Sequence, residues 1–353
     1  MTYAVRFSKQ LLYVSLYLMT YQLAEKAGVN EPMYRGDLRY STNFRVKAVP
    51  PYDFCLTVHK PAGWSLLTPF EVFEESILWS PVRMPSGEMF GLKLKSLGPE
   101  KKPEVLCDIF SHERLDDDKK RELSGLISWM LGLKEDIRPF YALAKHDSLV
   151  KALIEDLHGM RRTRRPDIFP MLVLAVTLQM APIKRSDQMM NLLLKEYGGK
   201  VTFDHKQISY WPSPERIATA PISELRERCK LGYRAPILKG IAETVSHGFP
   251  TLQVLEKMSE RDARAKLMEL KGIGEYSADI ITPHPGFALD VWSSKIFSLL
   301  LLKRKPESPR SIISELKKLA EKRWGKWRGY VFTYVLNDIP NLSRRFNLNL
   351  TEL

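Results

Sequence analysis

Cysteine is scarce: Cys55, Cys107 and Cys229 are far apart and odd in number. They fit neither a disulfide framework nor the CxxC spacing of a zinc or iron–sulfur site, so a reducing, intracellular compartment (cytoplasm, nucleoid or nucleus) is expected. Long hydrophobic runs are missing as well. The most apolar N-terminal stretch, Leu11 to Met19, is too short to span a membrane, carries two tyrosines and is followed by no clean small-residue cleavage site. No membrane partner is expected. Internal repeats and low-complexity tracts are also absent. Acidic residues run short, 41 against 54 Lys and Arg, leaving a net charge of +13. That surplus suits a polyanionic partner, although thermophilic and ribosome-associated proteins share the bias.

What remains is an ordinary globular composition. With 353 residues, 44% hydrophobic and 27% charged, the chain can bury a sizeable core and has the length of about two domains. Residues 1–50 read as a helix followed by a polar, basic connector, an extension of unassigned role ending at Pro50-Pro51. Residues 51–112 change texture. Short apolar runs (FCLTVHK, SILWSPVRM, MFGLKLKSL) alternate with Pro/Gly turn signals, as in a small antiparallel sheet. After His112 the 3.6-residue period takes over and is expected to hold to the end. The fold class is therefore α+β by segregation, a small antiparallel β domain followed by a larger all-α part.

Three segments carry chemistry. In Leu267 to Ile281 (LMELKGIGEYSADII), apolar positions 267, 270, 273 and 281 surround a Gly272-Ile273-Gly274 turn, a helix-hairpin-helix pattern. Glycines allow a sharp turn and close approach to a phosphate, and the N–H groups opening the second helix attract anions. Such a hairpin grips the backbone without reading sequence. Asp290 lies sixteen residues beyond Gly274, just before the apolar run of a new helix. Taken alone it reads first as that helix's N-cap; the sharper reading is a carboxylate at the mouth of a cleft, and one residue can be both. The third segment combines Phe169–Gly198 with PSPERIA (212–218) and Leu231-Gly232-Tyr233-Arg234-Ala235.

The hairpin through Asp290 resembles the helix-hairpin-helix–Gly/Pro–Asp signature of a DNA glycosylase superfamily. The LGYRA and PSPERIA strings and the AVTLQ helix (175–179) are similar to the branch of 3-methyladenine glycosylase II and 8-oxoguanine glycosylase, which also carries an N-terminal antiparallel sheet. Trp324 to Tyr334 resembles that branch's closing helix, and the likeness covers about residues 50–340. It implies a two-layer helical fold, with 168–290 as the central domain and 113–167 plus 291–353 as the second layer.

By this resemblance Asp290 is the essential carboxylate, stabilising positive charge on the sugar or orienting water toward C1′. Lyase-active members carry a nucleophilic lysine two residues after the second glycine. Here that position is Tyr276, so a water-using enzyme without Schiff-base chemistry is expected. The resemblance further implies DNA contacts from Gly272, Gly274, Lys271, Lys295 and Gln179, and a duplex wedge at Met180, whose other reading is a core methionine. It implies no required cofactor and no iron–sulfur cluster. A Na+ or K+ ion would be held by the carbonyls of Met268, Leu270 and Ile273.

A base pocket would be lined by Tyr276, Trp292, Ile280 and Leu336. Ile280 and Leu336 stand where alkylpurine enzymes of the branch carry aromatics, and Ala288-Leu289 replaces the commoner Pro-Val. These departures weaken the cation-binding pocket, while the missing lysine weakens the 8-oxoguanine reading more. Between 291 and 353 there are 13 Lys/Arg and 5 Asp/Glu, and Arg161-Arg162-Thr163-Arg164-Arg165 adds a basic cluster, read as a solvated linker or as phosphate contacts.

The expectation is a monomeric base-excision repair enzyme acting on double-stranded DNA, releasing damaged, most readily alkylated, purines. The alternatives are a glycosylase for 8-oxoguanine or hypoxanthine and a non-catalytic hairpin DNA-binding protein.

Overall fold

Strand alternation is clearest in Glu104–Ser111, where Val105, Cys107, Ile109 and Ser111 are buried and the residues between them are not. In the computed structural model this strand lies inside a five-stranded antiparallel sheet. The structure describes residues 35–62, 71–84, 86–99, 101–284, 286–306 and 308–351. Numbered along the chain, its sheet strands are β2 (Tyr40–Lys47), β3 (Val72–Glu74), β4 (Ile77–Arg83), β5 (Met89–Leu97) and β6 (Glu104–Ser111), in the order β2-β6-β5-β4-β3. Helix Asp117–Met130 covers one face, adding Leu123, Leu126, Ile127 and Met130 to the sheet's core. That helix thus packs on the sheet rather than within the second helical layer expected from residue 113 onward.

The expected connector before Pro51 is also partly strand. β2 pairs with β6 along its whole length, from Tyr40 opposite Ser111 to Lys47 opposite Glu104. Only Val46 on it is buried, so its sequence reads as polar. The helix expected near the N-terminus lies outside the described residues. FCLTVHK, expected as strand, contains a helix at Phe54–Val58, because the Asp53 carboxylate accepts the Leu56 N–H at 2.7 Å and starts a helical turn.

The helical period breaks once after His112. Gly199–Phe203 and Lys206–Tyr210 form a hairpin whose turn, Asp204-His205, has φ of +48° and +60°, the conformation a two-residue hairpin turn needs. Arg35–Asp37 (β1) joins it in parallel. The Phe203 ring lies against Gly91 of the larger sheet, leaving no room there for a side chain.

Two helical cores complete the chain. Residues from Ile168 to Ile281 form one; residues 137–160 and 287–350 form the other. Arg161 joins sheet to helices. It is fully buried, and its guanidinium donates to the carbonyls of Gly159 (3.2 Å), Val49 (3.0 Å) and Glu135 (3.3 Å). At this position, then, the basic cluster is neither solvated linker nor phosphate contact. Among the described residues no helix is long and apolar enough to cross a membrane.

Candidate active site

The hairpin forms where its glycines predict it. Helices Glu260–Met268 and Glu275–Ile281 flank the turn, and Leu267, Leu270, Ile273, Ala278 and Ile281 are buried in the first helical core. The two glycines differ in kind. Gly272 has φ +93°, and a Cβ there would sit 2.5 Å from Ile237 Cγ2. Gly274 is extended and exposed, and a Cβ there would meet nothing within 4 Å. Packing therefore explains the first glycine and leaves the second free to serve an incoming group. Lys271, just before Gly272, and Met268 are exposed, and the Leu270 carbonyl accepts the Ile273 N–H at 2.9 Å.

A second segment is tied to this turn. The Gln179 side-chain amide donates to the Gly272 carbonyl at 2.6 Å, and the Gln179 carbonyl accepts from the Tyr233 hydroxyl (3.3 Å) and the Arg234 guanidinium. This explains the LGYRA string, whose polar side chains lock the end of helix Phe169–Leu178 beside the hairpin. Met180 follows with φ +49° and is 84% exposed, so the core-methionine reading is excluded.

Asp290 caps helix Val291–Leu302. Its Oδ1 accepts from the Ser293 N–H and hydroxyl, both at 2.7 Å, while the Ser293 hydroxyl accepts the Asp290 N–H at 2.9 Å. Oδ2 accepts the Tyr276 hydroxyl at 3.4 Å. Burial and the Asp290 charge push the Tyr276 phenol far above its usual range, so it acts as a donor and not as a base. The loop between hairpin and Asp290 is pressed onto the second hairpin helix, since a Cβ on Gly286 would lie 2.5 Å from the Asp279 carbonyl oxygen.

Asp290, Tyr276, Trp292, Ile280 and Leu336 all line one cavity of about 250 Å³. The four positions named for a base pocket are brought together with Asp290, with Trp292 37% exposed and Leu336 buried. Lys295, half-buried one turn along the Asp290 helix, is not among the lining residues.

Sequence reasoning missed the rest of the lining. Asp279 is buried, its carboxylate bound by Lys317 (2.9 Å) and Arg264 (3.1 Å), which ties the hairpin to helix Pro309–Trp324. Burial still pushes the Asp279 carboxyl up against those two charges. Lys60, Arg162, Thr163, Arg164 and Arg165 form a basic stretch of wall. Arg164 pairs with Glu256 (3.3 Å) and Arg165 with Glu71. Among the described residues Arg162 makes no side-chain hydrogen bond or ion pair. The Lys60 amine donates to the Thr57 carbonyl (2.8 Å) and Thr163 Oγ1 (3.1 Å). Burial, with Arg165 and Arg162 nearby and only Glu71 opposing, pulls it down to about 7. No local motif in the sequence signals this amine.

No family model matches the chain. Two curated relatives do. It is 24% identical over 222 residues to DNA-3-methyladenine glycosylase of Bacillus subtilis, covering 62% of this chain and 72% of the relative. It is 23% identical over 244 residues to a probable N-glycosylase/DNA lyase of Methanothermobacter thermautotrophicus, covering 63% and 76%. Among solved structures, 3-methyladenine DNA-glycosylase from Archaeoglobus fulgidus superposes with a TM-score of 0.67 at 17% identity, covering 86% of this chain and 99% of that one. The 8-oxoguanine glycosylase/lyase of Clostridium acetobutylicum superposes with a TM-score of 0.63 at 17% identity, covering 84% and 95%. Its complex with DNA containing cytosine opposite 8-oxoguanine gives the same score at 16% identity, covering 87% and 99%.

Proposed function

We propose that this chain is a DNA glycosylase of the helix-hairpin-helix superfamily that releases a damaged purine by hydrolysis. The observation that carries the reading is Asp290 in the wall of a cavity beside the hairpin, one oxygen held by its own helix and the other facing Tyr276. The hairpin would grip phosphate through the N–H groups at Gly272 and Gly274, with Lys271 and Lys295 adding charge. Met180, projecting beside it, would fill the gap left by a flipped base and offset part of the unstacking cost.

Carbonyls at Met268, Leu270 and Ile273 are hard oxygen donors suited to a monovalent cation, and the Leu270 carbonyl, with one N–H bound, retains a lone pair. Such an ion would hold the turn's shape and supply positive charge near phosphate.

As the C1′–N bond lengthens, positive charge grows on the sugar. The Asp290 carboxylate would offset that charge and accept a proton from the attacking water. The cap hydrogen bonds keep Oδ1 fixed, which prepays the orientation of Oδ2. With Tyr276 at the usual lysine position, no amine stands there to form a Schiff base.

Substrate class divides on charge. An alkylated purine such as 3-methyladenine or 7-methylguanine is cationic, and the ring faces of Tyr276 and Trp292 suit it. The basic wall at Lys60 and Arg162 favours a second reading, an uncharged lesion such as hypoxanthine or 8-oxoguanine. Base release from duplexes carrying each lesion, with and without alkali, tests both. Release with alkali-dependent strand breaks supports the hydrolytic reading; breaks without alkali overturn it, and silence on every lesion with DNA binding intact points to a non-catalytic protein.

A further inference from the structure

An uncharged purine is a poor leaving group. When its glycosidic bond breaks, the electron pair of that bond stays on the base, which then needs a proton or a strong hydrogen-bond donor. A cationic alkylated purine departs neutral and needs neither. The hairpin's two titratable groups in the cavity wall are ill suited to this task, because the Tyr276 phenol is a very weak acid and the Asp279 carboxylate is engaged by Lys317 and Arg264.

The wall contributed by residues 60 and 162–165 does offer one. Lys60 sits just after the short helix Phe54–Val58, and its amine is anchored from two sides, by the Thr57 carbonyl at 2.8 Å and by Thr163 Oγ1 at 3.1 Å. Thr163 itself lines the same cavity as Asp290, so this anchor holds the amine at the cavity wall. Two of the three ammonium protons are taken by these acceptors, leaving the third for a ligand. Arg164 and Arg165 lack the same freedom, since both are paired with carboxylates, and the Arg162 guanidinium is not a group that gives up a proton.

We propose that Lys60 donates to the departing base, and that the cavity is built for an uncharged purine lesion whose leaving group needs that proton. The proposal rests on the glycosylase reading and names its substrate class. In the step it describes, the C1′–N9 bond breaks and its electron pair goes to the purine. A proton moves from Lys60 Nζ to the base, which departs neutral. The water oxygen bonds to C1′ and gives one proton to Asp290. Lys60 ends as an amine and Asp290 as a carboxylic acid, and both reset by exchange with solvent. An acid that titrates near neutrality is well matched to this work, and the charged groups that set it are Arg165, Arg162 and Glu71.

The test is single-turnover base release from duplexes carrying hypoxanthine, 8-oxoguanine or 7-methylguanine, by the wild-type protein, Lys60→Met and Lys60→Arg, from pH 5.5 to 9. Affinity for an abasic-site duplex and the melting temperature serve as controls on folding. The wild type is expected to release at least one uncharged lesion, with a rate that falls as pH rises through about 7, the value of Lys60. Lys60→Met should lose that release by about a hundredfold or more, the typical worth of a general acid. Any 7-methylguanine release should stay within about threefold, since that base leaves without a proton. Lys60→Arg keeps a donor that does not titrate in this range, so it should retain part of the rate and lose the falling limb. Release of 7-methylguanine alone by the wild type overturns the proposal and leaves the glycosylase reading standing. Equal losses on charged and uncharged lesions, or no loss at all in Lys60→Met, overturn it too. Silence of the wild type on every lesion removes the glycosylase reading and this proposal with it.

Discussion

Tyr276 donates its hydroxyl to one oxygen of Asp290 at 3.4 Å, while the other oxygen is held by Ser293 at 2.7 Å through both its backbone and its side chain. The carboxylate is thus anchored firmly on one side and loosely on the other. Geometry of this kind lets one residue stabilise a helix and still present an oxygen to a ligand.

Asp290→Asn should separate the two roles. Asparagine caps helices about as well as aspartate, so the melting temperature should barely move. Base release should fall below detection while duplex affinity stays within about tenfold, because phosphate contacts dominate binding. Single-turnover rates and a filter-binding titration check this, and wild-type rates in the variant would remove Asp290 from the mechanism.

Borohydride reduction during turnover should trap no covalent protein–DNA adduct. The hairpin places Tyr276, not an amine, beside Asp290. A trapped species that disappears in Lys60→Met would instead make Lys60 a nucleophile and the enzyme a lyase.

The two hairpin glycines should respond differently to alanine. Gly272→Ala meets Ile237 and a φ of +93°, and should destabilise the fold by about 1–3 kcal/mol in chemical denaturation. Gly274→Ala meets no neighbour and should leave the melt unchanged. If its N–H faces phosphate, as proposed, duplex affinity should fall; unchanged affinity would place the phosphate elsewhere.

Met180→Ala should cost little stability, because the side chain is 84% exposed. Its effect should appear in base release from paired duplex, about tenfold or more, and shrink when the lesion is mismatched and already easier to unstack. Equal rates on both substrates would argue against a wedge.

Local pattern made much of this molecule legible. Short apolar runs between turn signals identified strands β4 and β5, and the 3.6-residue period identified the main helices. The GIG turn and the position of Asp290 marked the two parts of the site. Strand β2 escaped because only one of its eight residues is buried, so its pairing leaves almost no mark on hydropathy. The hairpin at Gly199–Tyr210 escaped because its turn is Asp-His rather than a glycine-bearing pair.

Which residues share a helix face, which glycine opens a turn and which carboxylate can cap were determined by the sequence itself, since each depends on neighbours a few positions away. Tertiary structure alone decided that Arg161 is a buried staple, that Gln179 holds the hairpin, and that Lys60 enters the cavity of Asp290. The partners of these three side chains are distant in the chain or tied to backbone carbonyls, and a carbonyl acceptor looks the same at every residue. A basic or polar side chain therefore carries no local sign of whether it will face solvent, backbone or a ligand.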